Sequence, residues 1–458
     1  MNAKLRIGSL LFNLGIFAQL GAAPHAAPDN LIRCKVELDR GVLPADQKQT
    51  AVVKISLVAD AVPEEVDRPP VNLCIVMDRS GSMSGNKIEQ ARQAALEALA
   101  RLGSEDTFSL VIYGSEVDTL IPAGTIKDRR RAQEIIRGIK TSGNTALFGG
   151  VSQGAAELRK AFGDHAEGMV HRMILLSDGL ANKGPSSPED LGRLGVSLQK
   201  EGISVTTIGV GTDYNEDLMT RLAQRSDGNT YFVENENDLA RIFGQELGDV
   251  LNVVARNIRI QIECPKNVKP LRSIGREATI RGQKVELNLN QLYGSQERYL
   301  LLEVEVPATP ADTELPLMSA AIQYRNMFSE IDEKQNLALN AQFSRQEEEV
   351  KASYNEVVKK EVLLQESAIA KEEAIKLAEQ GDQKAAVEVL RQNRQKIVIA
   401  TEDYDFSAPE ELEEEAQNLS KQSDLLEQEG LNSYNRKVLR TDAEQTRNQQ
   451  YNKSSWRK

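Results

Sequence analysis

Between residues 71 and 250 the sequence takes on a rhythm that leaves few folds open. Short, unbroken apolar runs at 71–77, 107–113, 171–177, 203–209 and 230–233 alternate with stretches of helical period at 86–102, 128–139, 147–161, 188–200, 215–225 and 237–250. A smaller run, 117–121, follows the second. Strands buried on both faces read as continuous apolar runs, and they occur almost only in parallel sheets covered by helices on both sides. Crossovers between parallel strands are right-handed, so residues 71–250 are expected to form a doubly wound, mainly parallel α/β sheet. In the first helical stretch Ile88, Ala91, Ala95, Leu99 and Leu102 fall on one face, as a covering helix requires.

The flanks carry a different signature. In residues 28–70, Val36 and Leu38 and then Val53, Ile55 and Leu57 alternate with polar positions. In residues 251–345, Leu302, Val304 and Val306 alternate with Glu303 and Glu305. Period-two alternation marks half-buried antiparallel strands, so the two flanks are expected to form one β-sandwich with the α/β segment inserted in it. Residues 346–430 are helical and charged. Gly381 and Asp382 break them into an αα-hairpin, with Ala370, Ala374, Leu377 and Ala378 facing Ala386, Val389 and Leu390, and an acidic helix follows at 408–430. Residues 431–458, rich in Asn, Gln, Ser, Lys and Arg, read as a disordered polar tail.

Residues 1–27 have a basic start (Lys4, Arg6), an apolar stretch and then small residues, which is the pattern of a secretory signal peptide. Export to the periplasm or beyond is the expectation, with no membrane span after cleavage. In an oxidising compartment a Cys34–Cys264 bridge between the two flanks is expected, leaving Cys74 as a buried thiol in an apolar strand. The formal charge of −12, with no long basic stretch, argues against a nucleic-acid partner.

One stretch asks for a chemical reading. In VMDRSGSMSGNK, residues 76–87, a buried strand ends in Asp78, and Ser80 and Ser82 follow in a glycine-loosened loop that opens a helix. TSGNTALFGG places Thr145 just before another helix, and ILLSDGLAN places Asp178 at the end of another buried strand. In a doubly wound sheet these loops share one edge, where ligands bind. Two carboxylates and three hydroxyls are hard-oxygen donors suited to Mg²⁺, with Mn²⁺ and Ca²⁺ as alternatives. Neutral hydroxyls would leave such an ion electrophilic and open to one more carboxylate from outside. Asp213 reads as a helix cap, Phe148 as core or rim, and His165 and His171 as surface or strand-end residues.

With DRSGS at 78–82, GNTAL at 143–147 and SDG at 177–179, residues 70–250 resemble the von Willebrand factor type A domain. In that family the constellation is a metal-ion-dependent adhesion site. The resemblance implies that Ser80 and Ser82 bind the ion directly, that Thr145 joins them when a ligand is engaged, and that Asp78 and Asp178 act through water and by orienting the serines. It implies a non-catalytic, divalent-cation-dependent protein-binding module of an exported bacterial protein, whose partner offers a Glu or Asp. One alternative is an envelope-assembly protein acting through its helical C-terminus, with a purely stabilising metal. Another is a metal-dependent hydrolase, which needs a general base beside the ion; spacing places no histidine, lysine or third acid there.

Overall fold

A computed structural model describes residues 31–63, 68–163, 168–402 and 410–450. The expected leader, residues 1–27, lies outside them. The apolar runs become one six-stranded sheet in the order β6-β5-β4-β7-β8-β9. Its strands are β4 (Val71–Asp78), β5 (Thr107–Tyr113), β6 (Val117–Thr125), β7 (Val170–Ser177), β8 (Ile203–Val210) and β9 (Thr230–Val233). All pairings are parallel except β5 with the edge strand β6. Every residue of β4, β5, β7, β8 and β9 is buried, which is why these strands show no alternation.

Six helices cover the sheet: α1 (Asn86–Arg101), α2 (Arg129–Arg137), α3 (Leu147–Arg159), α4 (Pro188–Lys200), α5 (Glu216–Arg225) and α6 (Leu239–Val250). Ile88, Ala91, Ala95 and Leu99 of α1 join a core with Leu73, Ile75 and Phe108 on one face of the sheet, while Val151, Ala155 and Leu158 of α3 join Cys74, Val76 and Val111 on the other. The caps follow the chemistry of helix starts: Ser187 accepts from the Asp190 amide, ahead of Pro188 in the first turn. Asn215 caps α5, not Asp213, which is exposed two residues upstream. His171 is the second residue of β7, at the strand's end but buried, with Asn72 at 3.1 Å, and His165 lies outside the described residues. Phe148 packs against the core under α3.

The flanks build a β-sandwich. One sheet runs β1 (Ile32–Leu38), β3 (Gln49–Ala59), β14 (Glu297–Val306), β11 (Lys269–Ile274). The other runs β12 (Thr279–Arg281), β13 (Lys284–Tyr293), β10 (Val253–Glu263), β15 (Glu314–Asn326), β16 (Asp332–Ser344), β2 (Val42–Pro44). In β10, Ile258, Ile260 and Ile262 are buried between exposed Asn257, Arg259, Gln261 and Glu263, the pattern of a strand with one wet face. The chain leaves the sandwich after β3 and returns from α6 directly into β10, so the α/β head is an insertion. The expected Cys34–Cys264 bridge is not formed, and all three cysteines are free. Cys34 pairs with Leu57 in one sheet, whereas Cys264 follows the last residue of β10 in the other.

Buried ions weld head to sandwich. Arg172 of β7, 0% exposed, lies 3.4 Å from Glu246 of α6 and donates to Gln291 (2.5 Å) and to the Tyr293 hydroxyl on β13. Asp227, after α5, accepts from Arg276 at 2.7 Å and Arg298 at 2.6 Å. The two guanidinium groups, together with its other hydrogen bonds, hold the Asp227 carboxyl below the usual carboxylate range against the opposing effect of burial.

The C-terminal segment comprises α7 (Glu347–Ala352), α8 (Glu356–Glu379), α9 (Gln383–Glu402), α10 (Glu410–Glu429) and α11 (Ser433–Arg447). The α8–α9 hairpin turns at Gly381, whose φ of 88° suits glycine. Val387, not Val389, joins Ala386 and Leu390 in its core.

Residues 431–458 do not form a tail over their described part, because α11 is an integral helix. Composition misleads here because polar contacts reinforce the few apolar residues of α11, Val438 and Leu439, that reach the cores. Arg436 bonds Asp217 and Glu379, each at 2.7 Å, and also Glu216, which Lys437 reaches at 2.7 Å. Lys371 of α8, 0% exposed, bonds Glu415 of α10 at 2.5 Å and Asp442 of α11. Gln445 donates to the Thr230 carbonyl (2.8 Å), and Gln450 accepts from the Thr230 amide (3.2 Å), so side chains occupy the outer edge of β9. Residues 451–458 lie outside the described part.

Candidate metal centre

The chain leaves β4 toward β5 on one side, and β7 lies on the other, so the loops after β4 and β7 diverge and leave a crevice at the carboxyl ends of the strands. Asp78 closes β4 there. Its Oδ1 accepts from the Ser80 amide (2.8 Å) and its Oδ2 from the Ser177 hydroxyl (2.8 Å). Burial pushes the Asp78 carboxyl up to about 6, against hydrogen bonds from Ser80 and Ser177 that favour the anion, and neighbouring Asp178 adds to the rise. Asp78 itself has no cationic partner among the described residues.

Three loops are laced together by backbone bonds. The Arg79 amide donates to the Tyr113 carbonyl (2.8 Å), Ser142 to Arg79 (2.6 Å) and Gly81 to Gly143 (3.2 Å). Thr145 is fixed from both sides by Asn182, whose Oδ1 accepts from the Thr145 amide (2.9 Å) and whose amide donates to the Thr145 carbonyl (3.2 Å). Met83, fully buried, anchors the turn that carries Ser82 at the surface.

These constraints bring all five predicted residues together. The Ser80 and Ser82 hydroxyls are 3.0 Å apart, and Ser82 donates to Asp178 Oδ1 at 2.8 Å. Gly179 marks where they converge. A Cβ added to it would stand 3.2 Å from the Ser82 hydroxyl, 3.2 Å from that of Thr145 and 3.8 Å from that of Ser80. A side chain there would crowd the hydroxyls, which would have to give by a few tenths of an ångström to admit it. Among the described residues no three Cys, His, Asp or Glu side chains gather as a metal cluster. The donor set at Gly179 is of another kind: neutral hydroxyls around two carboxylates, which fits a hard divalent cation.

Three neighbours escaped the sequence reading. Ser177 orients Asp78 and is the first residue of the SDG motif. Asn182 fixes Thr145, and nothing in spacing reveals it. Lys87, contrary to the expectation that no lysine lies near, places its ammonium 2.6 Å from Asp178 Oδ2. Leu180, beside Gly179, is 60% exposed.

Residues 72–245 match the family model described as von Willebrand factor type A domain. A Synechocystis sp. protein, sll0103, is 28% identical over 285 residues, covering 60% of this chain and 65% of that protein. The inter-alpha-trypsin inhibitor heavy chain H3 of Rattus norvegicus is 26% identical over 240 residues, 50% of this chain and 27% of the rat protein. The match thus spans less than two thirds of either curated relative. A solved von Willebrand factor type A protein from Catenulispora acidiphila superposes with a TM-score of 0.67 at 16% identity, over 81% of this chain and 87% of that one. At that identity the likeness is one of fold.

Proposed function

We propose that the von Willebrand factor type A domain formed by residues 72–245 is a non-catalytic, divalent-cation-dependent protein-binding head in an exported protein. Ser80, Ser82 and Thr145 would hold the ion by their hydroxyls, with Asp78 and Asp178 balancing its charge, and Mg²⁺ is the best fit to such hard oxygen donors. The ion supplies an electrophilic point for a Glu or Asp of the partner. The chain's own residues do the rest: Asn182 and the backbone lacing fix the loops, and Leu180 offers the partner an apolar contact beside the acid. What carries this reading is the gathering of three hydroxyls around Gly179, next to two buried carboxylates. Among the described residues no helix is long and apolar enough to cross a membrane.

Immobilised protein incubated with envelope extract is expected to retain a partner in Mg²⁺ and to release it in EDTA, and Thr145→Ala is expected not to retain it. Retention unchanged by both treatments would reject the metal face as the working surface. Gly179→Ala provides a sharper probe, because its methyl group would sit among the hydroxyls. Its Mg²⁺ affinity by calorimetry is expected to fall at least about tenfold, with metal-free stability changed by about 1 kcal/mol or less. Unaltered affinity would place the ion elsewhere.

A further inference from the structure

Lys87 has a place in the site that its position in the sequence does not suggest. It stands in the first turn of α1, with its ammonium 2.6 Å from Asp178 Oδ2, while Ser82 donates to Oδ1 of the same carboxylate. Among the described residues it is the one lysine or arginine ion-paired with either of the site's carboxylates, and the carboxylate is that of Asp178. The Asp178 side chain is 0% exposed and that of Lys87 24%. A Cβ on Gly211, at the end of β8, would lie 3.5 Å from the ammonium nitrogen and 3.8 Å from Cε. Lys87 is thus threaded between α1, the β8 end and Asp178, rather than waving in solvent.

We propose that Lys87 is a built-in cation that sets the charge of the centre, weakening its hold on a divalent ion and raising that ion's demand for an acid from outside. This rests on the metal reading above. Two carboxylates alone would neutralise a divalent ion, and the loaded site would have little need of a further anion. With Lys87 paired to one of them, the loaded site carries one positive charge in excess. In a site whose walls are buried, that excess is poorly screened and is best satisfied by a partner's carboxylate. In the metal-free protein the same ammonium keeps two neighbouring buried acids from facing each other uncompensated. Lys87 is therefore a positioning and charge-setting residue for the binding face, and the partner it favours is an acidic segment.

The test uses the full chain and Mn²⁺ alone as the probe, titrated by calorimetry into wild type, Lys87→Met and Lys87→Arg, with circular dichroism checking the fold. Lys87→Met is expected to bind Mn²⁺ about tenfold more tightly, and Lys87→Arg to stay within about twofold of wild type. Acetate then serves as the probe acid. An excess of it is expected to tighten Mn²⁺ binding in wild type severalfold, and in Lys87→Met much less. Equal or weaker Mn²⁺ affinity in Lys87→Met overturns the proposal, as does tighter binding with an undiminished acetate response. If Lys87→Met fails to fold, Lys87→Gln, which retains a donor to Asp178, is read by the same criteria. Wild type that binds no Mn²⁺ would instead refute the metal centre itself.

Discussion

Mg²⁺ is expected to raise the melting temperature of the wild-type protein, and Asp78→Ala is expected to remove most of that rise. Asp78 holds the Ser80 amide and receives the Ser177 hydroxyl, so its loss frees the first serine and removes one of two charges that balance the ion. Removing a group that orients metal ligands costs roughly 10–100-fold in affinity, and losing the charge as well should put the variant at the upper end. A ligand at about a hundred times its dissociation constant adds about 2.7 kcal/mol, or roughly 5–10 °C for a domain of this size. Wild type should show such a shift, and Asp78→Ala, left near its own dissociation constant, only about 0.4 kcal/mol, or roughly 1–2 °C. The same experiment carries a pH signature. Because burial lifts the Asp78 carboxyl to about 6, the metal-free fold binds its proton more tightly than the unfolded chain does. Metal-free stability from this group therefore falls as pH rises from the ordinary carboxylate range toward 6. The cation needs the anion, so the Mg²⁺ shift should grow over that interval and then level off. Identical Mg²⁺ responses in wild type and Asp78→Ala would exclude this centre.

A chain ending at Gly430 provides the second large effect. If residues beyond it were a loose tail, removing them would leave the melting curve unchanged. The packing of α11 predicts otherwise. Truncation strips Lys371 of Asp442, and Glu216 of both Arg436 and Lys437. Lys371, Glu415 and Asp442 are all essentially unexposed. Breaking a buried ionic cluster by removing one partner costs about 3–5 kcal/mol, which corresponds to roughly 10 °C in melting temperature. The edge of β9 would also lose the glutamine side chains that satisfy Thr230. Differential scanning calorimetry of the truncated chain would decide the matter, and coincident curves would show that α11 contributes nothing.

The head was legible because its signals are long and redundant. Continuous apolar strands can be buried only in a covered parallel sheet, and each of Asp78, Ser80, Ser82, Thr145 and Asp178 sits where such a strand ends or a helix begins. The structure brings those five to one crevice. What escaped is held by polar contacts beside a few apolar ones, such as Val438 and Leu439. The Asn, Gln and Arg of α11 find partners on α5, α8 and β9 that no local pattern announces, so composition alone suggested a tail. Lys87 looked like any solvated lysine in a first helical turn until Asp178, ninety-one residues later, was found against it. Cap assignment slipped by two residues, from Asn215 to Asp213, because both side chains can cap a helix. The Cys34–Cys264 pairing failed because alternation tells which face of a strand is wet, but not which of two sheets the strand joins.

The insertion of the head between β3 and β10 has a mechanical consequence. Those strands belong to opposite sheets of the sandwich, so the head hangs from two covalent tethers rooted in separate layers. A tug on a guest held at the crevice would be divided between both layers, and the ion-rich seam around Arg172 and Asp227 would resist the head swivelling on its stalks. If the crevice binds a partner as proposed, that load path runs into both layers of the sandwich rather than into one.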